Sequence, residues 1–297
     1  MRRLYIDILS DYNIIFCWAS ILRMLVQYFE VEVLMNQIIK KRLEECNISI
    51  EDVLSTIEYN DKKDAIFIYT SHLEGLGTKN SDFDIYVIGT TPFSLLKFKD
   101  RGVYSVQNKI IKGIYFDIEY WNKDDIEKII DSTLETDFGK FSVENLKLLQ
   151  RISISEAINS NELEKDLISK IEKSNFRNQI IRLFTVLANS ELEDALNMYK
   201  AKEYLCALKC ARESLDNAIA ALNAKNGYPN LKNKWIPKIF VSHNCNAKYF
   251  NEYLQLQYFS SVSKENIESH IREILEFTQN LLSNLVVSVE GFNEHAL

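Results

Sequence analysis

Asp82 and Asp84 stand two residues apart in Ser81-Asp-Phe-Asp-Ile-Tyr-Val87, a segment in which polar and apolar side chains alternate. On a β-strand that spacing sends both carboxylates to one face of the sheet. Two acids held there repel unless a cation lies between them, and hard divalent ions take carboxylate and phosphate oxygens together. A pair of Mg²⁺ ions is therefore the expected cofactor, and chemistry on phosphates its expected use. Upstream, Asp64-Ala-Ile-Phe-Ile-Tyr-Thr70 is a second strand-like run that ends at Thr70-Ser71 and breaks into a loop holding Gly75 and Gly77. Such a loop offers free backbone N–H groups and the Ser71 hydroxyl to a triphosphate, with Lys79 able to meet a phosphate oxygen. A third carboxylate is expected from a neighbouring strand. Tyr115-Phe-Asp-Ile-Glu-Tyr-Trp121 supplies both Asp117 and Glu119 on one face, and alternation alone does not separate them, although Asp117 is the first choice.

These residues need a sheet to hold them. Val103 to Ile111 and Ile114 to Trp121 are two further strand-like runs split by Lys112-Gly113, a tight hairpin signal. Helical segments flank the strands at about 35–57 and 123–135. Six of the eight glycines fall between Gly75 and Gly139, which marks a change of architecture after that point. The pattern predicts a small mixed sheet with helices on it, α+β rather than a repeated βαβ array. From about residue 140 the periodicity is helical. Tyr204, Leu208, Ala211, Leu215, Ala218 and Leu222 recur every three or four residues, and Asn226-Gly227-Tyr-Pro229 then stops that helix. Further helices are expected at 160–174, 177–200, 246–257 and 264–288. The chain thus divides into an apolar extension over 1–34, a catalytic domain over 35–139 and a helical bundle over 140–297. A natural start at Met35 would open an amphipathic helix cleanly.

Strand, phosphate loop and metal-binding strand in this order resemble the polymerase-β-like nucleotidyltransferase superfamily, across residues 64–121. Its signature is a strand ending in Gly-Ser, a spacer, Asp-x-Asp and one more acid on a later strand. Ser71, the Ser81-Asp82-Phe83-Asp84-Ile85 core and a strand with Asp117 are present, while Thr70 stands where that family usually has glycine. The resemblance implies that Asp82 and Asp84 bind both metals and that Asp117 completes the catalytic metal site, with Glu119 as the alternative ligand. It implies that an acceptor hydroxyl attacks the α-phosphorus of an NTP or dNTP held by Thr70, Ser71, Gly75, Gly77 and Lys79. Cys210-Ala-Arg212-Glu-Ser-Leu-Asp216-Asn-Ala-Ile-Ala-Ala-Leu222, followed by Asn226-Gly227 and Lys234-Trp235-Ile-Pro237, looks like the helical C-terminal domain of kanamycin-type nucleotidyltransferases. In that family the domain helps to close the nucleotide and acceptor cleft; Lys234 beside Trp235 reads equally as a contact to phosphate and base or as the neighbour of a tryptophan that anchors a helix start. Arg212 and Asp216, one turn apart, read as a solvated ion pair.

Composition narrows the partners. With 35 basic against 42 acidic residues and a net charge of -7, the 297-residue chain has no general basic surface for duplex nucleic acid. Five scattered cysteines are not a disulfide framework and suit a reducing, cytoplasmic setting. Cys206-x₃-Cys210 with His243-x-Cys245 lacks the short spacing of a structural zinc site, so buried apolar cysteines are expected. The longest uncharged N-terminal run, Tyr12 to Leu22, is shorter than the ~20 apolar residues of a membrane span. Asp7 and Asp11 interrupt it as a signal peptide. The glycines fit neither a P-loop nor a dinucleotide fingerprint, and the four histidines lack the Arg and His arrangement of helical-domain ribonucleases. The expected partners are a nucleoside triphosphate and a hydroxyl acceptor, on a small molecule or a protein side chain, with homodimerisation compatible with either. Two alternatives stand beside this reading: a synthase of short oligonucleotides in phage defence, and an inactive nucleotide-binding sensor, which the Thr70 departure keeps open.

Overall fold

The structure is a computed structural model, described here over residues 37–89, 103–134, 142–159, 161–243 and 247–290. The apolar extension over 1–34, the start at Met35 and Cys245 lie outside those residues. Apolar alternation builds five strands: β1 (Ala65–Tyr69), β2 (Phe83–Gly89), β3 (Val103–Ile111), β4 (Ile114–Asn122) and β5 (Glu156–Ala157). They form one sheet in the order β3-β4-β2-β1-β5. β1 runs antiparallel to β2, with Ile68 opposite Ile85 and Tyr69 opposite Asp84. The β3–β4 hairpin turns through Lys112 and Gly113, both at positive φ (49° and 85°), as a two-residue hairpin loop requires. The fold is α+β, this sheet with a large helical complement.

One face of the sheet is the core of the first compact unit, which holds the described residues up to Trp121 together with 155–161. Ile66 and Ile68, then Phe83, Ile85 and Val87, then Phe116, Ile118 and Tyr120 all point to it. Phe83 stacks on Phe116 with ring centroids 4.9 Å apart. Two helices cover this face: α1 (37–45) brings Ile39 and Leu43, and α2 (Ile50–Leu54) brings Val53. The helical stretch expected at about 35–57 is divided in two, the chain breaking at Asn47, whose φ is 54°. Ser49 restarts the helix through a reciprocal capping box with Asp52.

The second unit is helical: α3 (Lys123–Ser132), α4 (Val143–Ile154), α5 (Glu162–Lys173), α6 (Phe176–Lys200), α7 (Tyr204–Lys225), α8 (Ile236–Ser242), α9 (Ala247–Leu254) and α10 (Ile267–Glu290). On α7 the buried stripe is Ala207, Ala211, Ser214, Leu215 and Ala218. The alanines and serine of this stripe let α6 approach closely enough for Ser214 Oγ to donate to the Ala188 carbonyl at 2.6 Å. α7 ends as its sequence suggests, with Gly227 at φ 96° just past the cap. Among the described residues no helix is long and apolar enough to cross a membrane.

β5 interrupts what reads in sequence as an unbroken helical half. Ile158 donates its N–H to Ile66 at 2.8 Å, and Asn159 Oδ1 accepts from the Ile66 N–H at 2.9 Å, so residues 155–161 are stitched to β1. Glu156 lies opposite Ile68 on this strand, and its Oε2 is buried with no hydrogen-bond partner. Burial pushes its pKa up to about 7. The folded state therefore binds a proton that the unfolded state has already released between pH 4.5 and 7, and stability falls as pH rises through that window. We expect Glu156→Gln to stabilise the protein by ~1–2 kcal/mol at pH 8 and by almost nothing at pH 4.5, once partial solvation is allowed for. Urea unfolding at the two pH values checks this, and an equal effect at both would refute the buried-charge account.

Candidate active site

The sheet face opposite the core carries the acids. Asp84 precedes Ile85 and follows Phe83, both core-facing, so it points away from the core with Tyr86, and Asp82 lies on the same side by alternation. Asp82 sits just before β2 and is exposed, while Asp84 is one pleat further in and only 5% exposed. β4 is the hydrogen-bonded neighbour of β2, and its Asp117 and Glu119 alternate with the core residues Phe116, Ile118 and Tyr120. Four carboxylates from adjacent strands thus share one face. Asn108 Nδ2 on β3 donates to Asp117 Oδ1 at 2.5 Å, and Trp121 Nε1 donates to Glu119 Oε2 at 3.1 Å. Neither partner was singled out from the sequence. Asn108 was within reach, because a two-residue turn at Lys112-Gly113 fixes by counting that residue 108 faces 117.

The segment joining β1 to β2 is more closed than expected. Thr70 is fully buried and precedes a single 3₁₀ turn, Ser71–Glu74, ended by Gly75 at φ 68°. The N–H groups of Leu73, Gly75 and Leu76 are spent within this turn on the carbonyls of Thr70, His72 and Ser71. The Ser71 hydroxyl donates to Ser81 Oγ at 3.1 Å, and Ser81 Oγ also accepts from the Thr78 N–H at 2.9 Å. Gly77 packs flat on the His72 imidazole: a Cβ there would lie 2.3 Å from a ring carbon. The backbone is therefore not an open cradle of free donors. Gly75 and Lys79 are exposed and Gly77 is half-buried, which leaves the loop's outer surface to a ligand.

All four acids offer hard oxygen donors, which suits Mg²⁺ and not a thiophilic metal. Their oxygens are not gathered into one tight cluster. Among the described residues the set of three such ligand atoms lying within 4.8 Å of one another is Glu191, Cys210 and Glu213, in the helical unit. An ion at the sheet would have to draw its acids together by side-chain rotation. Of the residues considered from spacing, that set holds Cys210 but neither Cys206, which is exposed and not buried, nor His243, which stacks on Tyr228 with centroids 3.7 Å apart.

Elsewhere in the helical unit Lys234 holds its ammonium 4.8 Å above the Trp235 ring. Arg212 and Asp216 do not form the solvated pair expected of them. Asp216 accepts a hydrogen bond at 2.9 Å from the fully buried Tyr253 hydroxyl, and burial raises its pKa. This unit also has an open pocket of about 450 Å³, whose lining includes Phe184, Leu187, Glu191, Glu213 and Asp216.

No family model matches the sequence, and no curated protein does. Among solved structures, the chain is similar to a nucleotidyltransferase-like protein from Exiguobacterium sibiricum 255-15, at 15% identity and a TM-score of 0.47, over 76% of this chain and 71% of that one.

Proposed function

We propose that this chain is a divalent-metal-dependent nucleotidyltransferase that moves a nucleoside monophosphate from an NTP or dNTP to an acceptor hydroxyl, on a small molecule or a protein side chain. The observation that carries this reading is the set Asp82, Asp84, Asp117 and Glu119 on one face of adjacent strands, next to the Ser71 turn. In the reaction a bond forms between the acceptor oxygen and the α-phosphorus. The bond to the bridging oxygen breaks, pyrophosphate leaves with its electron pair, and the acceptor proton passes to a carboxylate of this face or to water. Asp82 and Asp84 would hold Mg²⁺ with Asp117 or Glu119, and the ions when bound would stabilise charge on the attacking and leaving oxygens. Lys79, exposed on the loop, would meet a phosphate from solvent.

A sensor that binds nucleotide without turnover is the second reading. It is favoured by the buried Thr70 and by the engagement of the Ser71 hydroxyl with Ser81. Mass spectrometry of products and protein after incubation with Mg²⁺ and each of the eight NTPs and dNTPs separates the cases. We expect pyrophosphate release from at least one purine nucleotide, without a product series. A ladder of oligonucleotides would replace the proposed acceptor by a second nucleotide. Bound but intact nucleotide in every tube would favour the sensor, and no binding at all would refute the nucleotide reading.

A further inference from the structure

Arg42 lies in α1, outside every motif of the acid cluster, yet its side chain is only 8% exposed. An arginine is seldom buried to that degree without full pairing, because taking the guanidinium out of water is costly. Here the pairing is partial. Nη2 donates to the Lys79 carbonyl at 2.5 Å, across 37 residues of sequence. Nη1 donates to Glu45 at 3.3 Å, but the Glu45 side chain is 50% exposed and its charge is screened by solvent. The Nε–H is buried with no partner. A half-compensated cation therefore sits beneath the loop between Gly75 and Asp82.

That loop is pinned at three places: Gly77 on the His72 ring, Ser81 on Ser71, and Lys79 on Arg42. The first two are local, and the third ties the loop to the helical layer over the core. Pulling the Lys79 carbonyl toward a buried group turns an acceptor dipole away from solvent. A planar trans peptide then directs the following N–H, that of Asn80, the opposite way, where it donates to Thr78 Oγ1 at 3.3 Å. With the Lys79 carbonyl dipole drawn inward and the guanidinium charge beneath it, the loop's outer surface favours an anion.

We propose that Arg42 is a positioning residue that holds the 75–81 loop in the form that accepts the phosphates of a nucleoside triphosphate. This rests on the nucleotidyltransferase reading above and names a residue on which its affinity for the triphosphate depends. The base and sugar are bound independently of it.

The test is equilibrium binding to the full-length wild type, Arg42→Lys and Arg42→Met. The probes are the tightest-binding of the eight NTPs and dNTPs and its parent nucleoside, with Ca²⁺ in place of Mg²⁺ to suppress turnover. Arg42→Met should weaken the triphosphate by about 10- to 100-fold, the worth of a hydrogen bond to a charged group, and leave the nucleoside within about twofold. Arg42→Lys should recover part of that loss, since one ammonium keeps the charge but lacks the fork that reaches Lys79 and Glu45 together. Triphosphate affinity unchanged in both variants would overturn the proposal. So would a parallel loss of nucleoside and triphosphate, which is what a merely structural role produces. If Arg42→Met fails to fold, the ratio of triphosphate to nucleoside affinity in Arg42→Lys decides alone. A wild type that binds no nucleotide would refute the nucleotidyltransferase reading, whereas a wild type that binds it with indifferent variants would refute only the role of Arg42.

Discussion

Asp84→Asn is expected to lower metal-dependent turnover by about a thousandfold or more and to leave the fold intact. The side chain keeps its shape and one carbonyl oxygen but loses the negative charge and half of its capacity as a hard ligand. Asp84 is the most buried of the four acids at the sheet face, at 5% exposure, so solvent cannot take its place at an ion. Removing a charge from among Asp82, Asp117 and Glu119 also lowers repulsion in the metal-free protein. Thermal stability in EDTA should therefore hold or rise slightly, while stabilisation by added Mg²⁺ should disappear. Asp82→Asn should match the loss of activity with little change in stability, because Asp82 is exposed. Wild-type kcat in Asp84→Asn would end the two-metal account.

The second large effect concerns the third acid. Asp117→Asn should reduce kcat by about a hundredfold or more, and Glu119→Gln by less than about tenfold. Both face the same side of β4, so alternation treats them equally, and the difference comes from their neighbours. Asp117 is short and fixed by Asn108 at 2.5 Å, leaving its second oxygen preorganised. Glu119 has one more rotatable bond and is tied at 3.1 Å to an indole that is itself 3% exposed. Reorienting it for an ion would cost that bond and side-chain freedom together. An amide at 117 still pairs with Asn108, so the hairpin should survive the substitution. Steady-state kinetics of the two variants with the same nucleotide rank them, and the reverse order would give the role to Glu119.

Much of this arrangement was legible in the chain because period-two alternation is a local property. Asp82 with Asp84, and Asp117 with Glu119, are assigned to a shared face by counting, and the Lys112-Gly113 turn sets their hairpin's register in the same way. The stripe on α7 and its glycine stop follow from the 3.6-residue period. Alternation reports a face, however, and says nothing of depth or of which strand comes next. That Asp84 is buried while Asp82 is open depends on where β2 enters the sheet. β5 escaped notice because two residues are too few for any period, and its place is decided by Ile66 and Asn159, far apart in sequence. Helical spacing put Arg212 and Asp216 on a polar face, and Tyr253 from another helix then took the carboxylate out of solvent. Arg42 is the extreme case: only the packing of α1 over the sheet sets its guanidinium against the Lys79 carbonyl, and no local pattern records a contact formed between segments that meet only when the chain has folded.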